Sequence, residues 1–198
     1  MQILGAAINS FSQGVSYFHA GIDTLRSKSL DRNSYDSGDW FNRIDWSYRD
    51  NGFAAGLPPQ GDNGGNCSVM GPLLANAEIK PTEVETRWTR DAFRDLMKIR
   101  ASSRLFRLRT ADEVQARVGF LNTGPAQIPG VIVMTLSDAV ADKPSLGSTW
   151  KRVVVVFNAR PEPVTFAYPA FAQMTLALHP IQAGGADPVV KQARFDAA

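Results

Sequence analysis

The spacing of apolar positions changes along the chain, and each change marks an element. Over residues 1–13, Ile3, Leu4, Ala7, Ile8 and Phe11 recur at helical spacing, which predicts the end of an amphipathic helix stopped by Gly14. Val15-Ser16-Tyr17-Phe18-His19-Ala20 is a short, mostly apolar run between Gly14 and Gly21, the form of a buried parallel strand. Helix, tight turn and strand make an α/β pattern, but one strand makes no sheet, so its partners are expected elsewhere. Residues 27–80 have no period. Pro81 and the Thr82/Glu85 capping box then open a helix predicted over about residues 83–101, with Val84, Trp88, Ala92, Leu96 and Ile99 on one face and Phe93 and Met97 beside it. Beyond residue 103 the period becomes two. Val114, Ala116, Val118 and Phe120 alternate with polar residues, and Asn122-Thr123-Gly124-Pro125 is a turn. Val131–Leu136, Val153–Phe157 and the weaker Thr175–Leu178 complete a set of short strands that suggests an antiparallel β-sandwich.

Composition narrows the classes. Hydrophobic residues make up 44% and charged residues 20% of 198, as in ordinary globular chains. The net charge is +2 and no dense Lys/Arg block occurs, which argues against nucleic acid or an anionic membrane as partner. Cys67 is the single cysteine, so no internal disulfide forms, and we read it as an incidental thiol. With only His19 and His179 beside that thiol, a metal site is poorly supplied. No Lys or Arg precedes Arg26, so the start does not read as a signal peptide, and no apolar run reaches the length of a membrane span. The first residues read as the interior of a domain, and a truncated chain is the expectation.

The irregular stretch 27–80 carries Tyr35, Trp40, Phe41, Trp46, Tyr48 and Phe53, too many aromatics for a disordered linker. Within it Asp36, Asp39 and Asp45 lie among four aromatics over residues 33–46. Aromatic faces pack on pyranose rings while carboxylates, amides and guanidinium groups bind hydroxyls, so this mixture suits a sugar. It suits equally a structural loop in which Asp, Asn and Ser cap turns over buried rings. A retaining glycosidase needs two carboxyls roughly 5–5.5 Å apart with one kept protonated; no pattern here marks an acid, so no catalytic residue is assigned. His19 ends the predicted strand, where a barrel would turn it to the active face.

These same residues carry a family resemblance. Ser16 to Gly21 and Leu25 to Trp46 resemble the final barrel strand and following loop of pullulanases and plant limit dextrinases, starch-debranching members of glycoside hydrolase family 13 in the α-amylase superfamily. The resemblance continues through Gly56-Leu57-Pro58-Pro59, Ile99 to Ser103, Leu105 to Leu108, Asn122 to Pro125, Pro129 to Met134 and Leu178-His179-Pro180. It implies the last helix-strand-helix part of a (β/α)₈ barrel over residues 1–103 and an antiparallel β-sandwich over 104–198 that stops short of the family's last strands. It implies, for the parent, retaining hydrolysis of α-1,6 branch links in pullulan, amylopectin and limit dextrins. The family's nucleophile, acid/base and third carboxylate lie on earlier strands whose motifs are absent here, so the chain is expected to be inactive without the upstream barrel. The Asp39-x-x-x-Arg43 spacing resembles the pair that holds glucose hydroxyls in this superfamily. Asp39 and Arg43 are therefore expected to contact substrate and to pair with each other, with Trp40, Phe41 and His19 shaping the pocket, Asp36 bracing the loop and Asp45 on its outer part. No cofactor is expected, although the resemblance leaves room for calcium in the parent. The compartment stays open: secreted, periplasmic or cytoplasmic in a bacterium, plastid in a plant or alga. A stand-alone α-glucan-binding module is the alternative, against which the lone helix and strand of residues 1–20 count.

Overall fold

In a computed structural model, residues 1–196 of the chain are described. The helices are α1 (Gln2–Phe11), α2 (Gly38–Asn42), α3 (Gln60–Asn63), α4 (Cys67–Ala75), α5 (Glu83–Ser102), α6 (Ala111–Arg117) and α7 (Pro180–Ala183). The strands are β1 (Val118–Phe120), β2 (Val131–Ser137) and β3 (Arg152–Asn158), and short 3₁₀ turns lie between them. The chain forms two compact units, one over Phe18–Asp91 and one combining Met1–Tyr17 with the residues from Ala92 onward; α5 runs through the second division. No helix among the described residues is long and apolar enough to cross a membrane.

The discontinuous unit is built on β1-β2-β3, a three-stranded antiparallel sheet. Register runs from Val118 opposite Leu136 to Phe120 opposite Met134, and from Val131 opposite Asn158 to Ser137 opposite Arg152. The β-branched runs predicted at 131–136 and 153–157 are thus the two long strands. Leu105, Phe106, Val133 and Leu136 are almost wholly buried, and Phe11 at the end of α1 packs 5.2 Å from Phe106 and 6.3 Å from Phe157, ring centre to ring centre. Burial on this scale contributes about 1.5–3 kcal/mol per large side chain. Polar links fasten the same core. Gln13 donates to the Leu105 carbonyl at 2.8 Å and accepts from the Leu108 N–H at 3.0 Å. The Arg100 guanidinium binds the Ser10 carbonyl in the last turn of α1 at 2.6 Å, a group the helix end would otherwise leave unsatisfied, and the Ser12 and Gly14 carbonyls just beyond it at 2.9 and 2.5 Å.

A buried charge network holds the loop after β2. Arg117, with no exposed side-chain surface, pairs with Glu113 and reaches the Asp138 carboxylate at 3.4 Å, the Asp138 carbonyl at 2.6 Å and the Pro144 carbonyl at 2.6 Å. Asp138 in turn accepts from the Ser145 hydroxyl, the Leu146 N–H and the Ser148 N–H. Those hydrogen bonds, the Ser145 hydroxyl first, hold its carboxyl below the usual carboxylate range despite burial.

Several predicted elements differ. The strand predicted at 15–20 is irregular chain, because a parallel strand needs neighbours to take its N–H and C=O groups and none is formed there. Residues 111–117 are helix rather than strand: Thr110 caps the Glu113 N–H at 3.2 Å and Glu113 pairs with Arg117 one turn on, local signals that outweigh the alternation of Val114 and Ala116. Residues 175–178 pair with no strand, so among the described residues the tail shows one sheet. In α5 the capping box forms as predicted, with Thr82 and Glu85 bonded reciprocally at 2.7 and 3.3 Å. Ala92, Leu96 and Ile99 are buried, but Val84 is 76% and Trp88 37% exposed, and Thr86 and Thr89 are buried in their place.

Candidate functional site

The site loop is shaped by backbone bonds that the sequence forces locally. Gly21 sits at φ 92°, where a side chain would lie 2.7 Å from Arg26 Cβ and Cδ, so only glycine lets the chain turn over Arg26. The Gly21 carbonyl accepts the N–H groups of Thr24 and Arg26 at 3.1 and 3.0 Å. The Arg26 guanidinium then donates to the Ala20 carbonyl at 3.2 Å and to the Asn42 carbonyl at the end of α2. Asn42 donates to the Ser34 and Gly38 carbonyls at 2.6 and 2.9 Å, tying the 3₁₀ turn Ser34–Asp36 to α2. Asn51, buried, donates to the Leu25 carbonyl at 2.8 Å, while its own carbonyl accepts the Ser27 N–H at 2.7 Å.

Three aspartates brace this frame. Asp31 accepts from Ser37 Oγ, Asn63 Nδ2 and the Asn33 N–H. Burial pushes its carboxyl up, but those hydrogen bonds more than offset it and hold the carboxyl low. Asp45 accepts from the Ser47 hydroxyl and from the N–H groups of Ser47, Asp50 and Arg49, which bring its pKa down to about 2. Asp50 is held low by the Gly52 N–H and by Lys80, whose ammonium lies 3.0 Å away. Tyr48, at φ 65°, lies under Arg87 and Arg90, whose guanidinium carbons are 5.8 and 4.8 Å from its ring centre.

On this frame α2 presents Asp39, Trp40, Phe41 and Arg43 within one turn and its cap. Arg43 lies 5.3 Å over the Trp40 ring and 3.7 Å from the Asp50 carboxylate. Trp40 Nε1 donates to the Ala55 carbonyl at 2.6 Å, and Phe41 and Trp40 both border Gly56. The expected Asp39–Arg43 ion pair is not formed; Asp50 takes the guanidinium, and the helical backbone joins the two residues only through Arg43 N–H to the Asp39 carbonyl at 2.8 Å. Asp36 does not brace the loop either: Asp31 does, reached by Ser37 and Asn63. Asp36 and Asp39 are exposed carboxylates with no hydrogen bond or ion pair to their side chains among the described residues. Asp45 is a loop staple rather than an outlying group. Trp40 is 58%, Trp46 62% and Tyr35 86% exposed, so the aromatics that would lie under a structural loop mostly face solvent. His19 is exposed as well, its carbonyl taking the Ile22 N–H at 3.0 Å. Sequence reasoning missed Arg26, Asp31, Asn51 and Asn63. Gly21 ahead of an arginine and the Asn51-Gly52 turn were the available signals. Among the described residues no three His, Cys, Asp or Glu side chains group as metal ligands, so none is assigned to calcium.

The class follows from comparison of this chain with known families. Residues 48–198 match the family described as "Alpha-1,6-glucosidases, pullulanase-type, C-terminal", and the chain belongs to that family. Among its relatives, the chain is 46% identical over 196 residues to "Pullulanase 1, chloroplastic" of Arabidopsis thaliana, a match that covers 98% of this chain and 20% of that protein. It is 40% identical over 182 residues to the pullulanase of Klebsiella pneumoniae, covering 92% of this chain and 16% of that one. The fold superposes on the Klebsiella pneumoniae pullulanase solved in complex with maltotriose with a TM-score of 0.84 at 37% identity, over 92% of this chain and 17% of that chain. The chain therefore spans about a fifth or less of the length of these relatives.

Proposed function

We propose that the chain is the C-terminal portion of an α-1,6-glucosidase that cleaves branch links in pullulan, amylopectin and limit dextrins, and that its α2 loop holds glucose units of the substrate. The observation that carries this is the state of Asp39. Its carboxylate is uncommitted while the residues around it are fastened, so it is free to accept hydroxyl hydrogen bonds beside the exposed Trp40 ring. Arg43, kept on Trp40, turns its remaining N–H groups to the same sugar, and Phe41, Asp36 and His19 border it. In this reading residues 1–103 complete a (β/α)₈ barrel and residues 104–198 form the tail sandwich. The nucleophile and the acid/base come from the upstream barrel, hydrolysis proceeds with retention, and the 198-residue chain alone does not hydrolyse glucan. The chloroplastic relative supports a plastid location.

The test has two arms. The purified chain is incubated with pullulan and branched dextrin, and reducing ends are assayed; release of sugar would overturn the division of labour. Maltotriose is then titrated into the chain and into Asp39→Ala. Weaker binding by the variant is expected, and equal binding would remove the loop from the substrate site.

A further inference from the structure

Away from the α2 loop, the discontinuous unit carries a groove of about 410 Å³ with the opposite chemistry. One wall is Thr149-Trp150-Lys151-Arg152, at the entry to β3; the other is the 174–176 segment. No Asp or Glu lines it. The Arg152 guanidinium crosses to Met174 Sδ at 3.3 Å, and this weak acceptor is its one side-chain partner among the described residues. Among the described residues Lys151 makes no ion pair, and the hydroxyls of Thr149 and Thr175 make no hydrogen bond. Several other cations of this unit are matched, Arg117 by Glu113 and Asp138, Arg160 by Glu162 and Lys98 by Asp95, while Arg100, Arg104 and Arg107 bind main-chain carbonyls. Here the residues carrying two cations and two hydroxyls line one groove, and Met174 Sδ is the acceptor recorded for them among the described residues.

We infer that this groove binds a phosphorylated sugar. A phosphate brings a charge of about −1.5 to −2 and three strong acceptor oxygens, and the planar fork of an arginine matches it with two parallel hydrogen bonds. Lys151 adds a point charge and the two threonines add donors. The volume lies in the range of small-molecule sites and exceeds what a phosphate group fills, leaving room for a pyranose ring. Trp150 supplies the apolar wall for that ring, and its position is fixed by edge-on packing against His179 at 5.5 Å. The sugar is either a free hexose phosphate or a phosphate ester carried on a glucan chain, since both present the same group.

Calorimetric titration of the full chain at low ionic strength tests this with glucose 6-phosphate, a phosphorylated dextrin, inorganic phosphate and maltotriose, against Arg152→Met and Lys151→Met. Saturable binding of glucose 6-phosphate at about 1 mM or tighter is expected, weakened at least ~10-fold by Arg152→Met, weakened by added salt, and with maltotriose binding unchanged in both variants. Tighter binding of the phosphorylated dextrin than of glucose 6-phosphate identifies the ester on a glucan as the ligand; the reverse order identifies the free sugar. Circular dichroism of each variant shows that its fold is kept. Absence of saturable phosphate binding up to ~10 mM, or Arg152→Met binding as tightly as the unaltered chain, overturns the proposal.

Discussion

The guanidinium of Arg26 donates to the main-chain carbonyl of Asn42, sixteen residues on, immediately before Arg43. One side chain thus fixes the end of α2 and with it the direction in which Arg43 leaves the helix. Its Nε is buried without a partner among the described residues, so the interaction rests on the terminal N–H groups. Arg26→Leu should release α2. Amide exchange at residues 38–43 is expected to rise, and maltotriose affinity to fall by about 1.5–3 kcal/mol, the range for a hydrogen bond from a charged donor. Unchanged exchange at these amides would show that α2 holds itself.

Arg43 is paired with Asp50 and not with Asp39, which sets a double-mutant cycle. In the complete enzyme, Asp39→Ala and Arg43→Ala should each lower kcat/KM on branched dextrin by at least roughly tenfold, about 1.4 kcal/mol. The Arg43/Asp50 pair should show coupling near 0.5 kcal/mol or above, and Arg43/Asp39 much less. Coupling of the second pair as strong as the first would mean that substrate brings Asp39 and Arg43 together. A wild-type rate for Asp39→Ala would refute the site assignment.

The four hydrogen bonds into Asp45 make a pH prediction. Its pKa in the fold, about 2, lies below its ordinary value of 3.8. The ionised form is therefore favoured by folding, and the stability it lends is present above pH 3.8 and lost as pH falls from there through about 2. Protection of the Ser47, Arg49 and Asp50 amides, taken relative to the intrinsic exchange rate at each pH, should fall across that window, and Asp45→Asn should show low protection at all pH. A flat profile in the unaltered chain would count against the staple.

Arg117 and Asp138 offer a stability test. Arg117→Met leaves Asp138 buried with hydrogen bonds but no cation, and should cost about 3 kcal/mol, the low end for a broken buried pair. Urea unfolding reads this directly; a loss below 0.5 kcal/mol, within the scatter of surface substitutions, would show the network to be dispensable.

The sequence revealed what neighbours along the chain decide. The Thr82/Glu85 box is a signal within four residues and formed as predicted, and the β-branched runs at 131–136 and 153–157 paired with each other. The same kind of local signal corrects the reading at 111–117, where Thr110, Glu113 and Arg117 specify a helix that alternation disguised. A strand at 15–20 was not decidable locally, since strands depend on partners. At the site, the grouping of Asp39, Trp40, Phe41 and Arg43 was legible because one short helix carries them. Their braces were not, because Asp31 meets Asn63 across 32 residues and Asn51 meets Leu25 across 26. An aspartate's spacing does not say whether it will be a staple, as Asp45 is, or uncommitted, as Asp39 is.

The grip of Arg100 on the Ser10, Ser12 and Gly14 carbonyls has a consequence in time. A ribosome delivers α1 first, yet the residues that cover Phe11 and satisfy the end of that helix begin at Ala92. From Tyr17 to Ala92 is 75 residues (92 − 17), which at ~5–20 residues per second takes about 4–15 s of synthesis. A ten-residue helix is marginal in water on its own. Throughout that interval Phe11 lacks Phe106 and Phe157, its ring partners within this chain, while Phe18–Asp91 emerges. The packing of Phe11 therefore waits on the later half of the chain, and a translational pause before Ala92 would lengthen that wait.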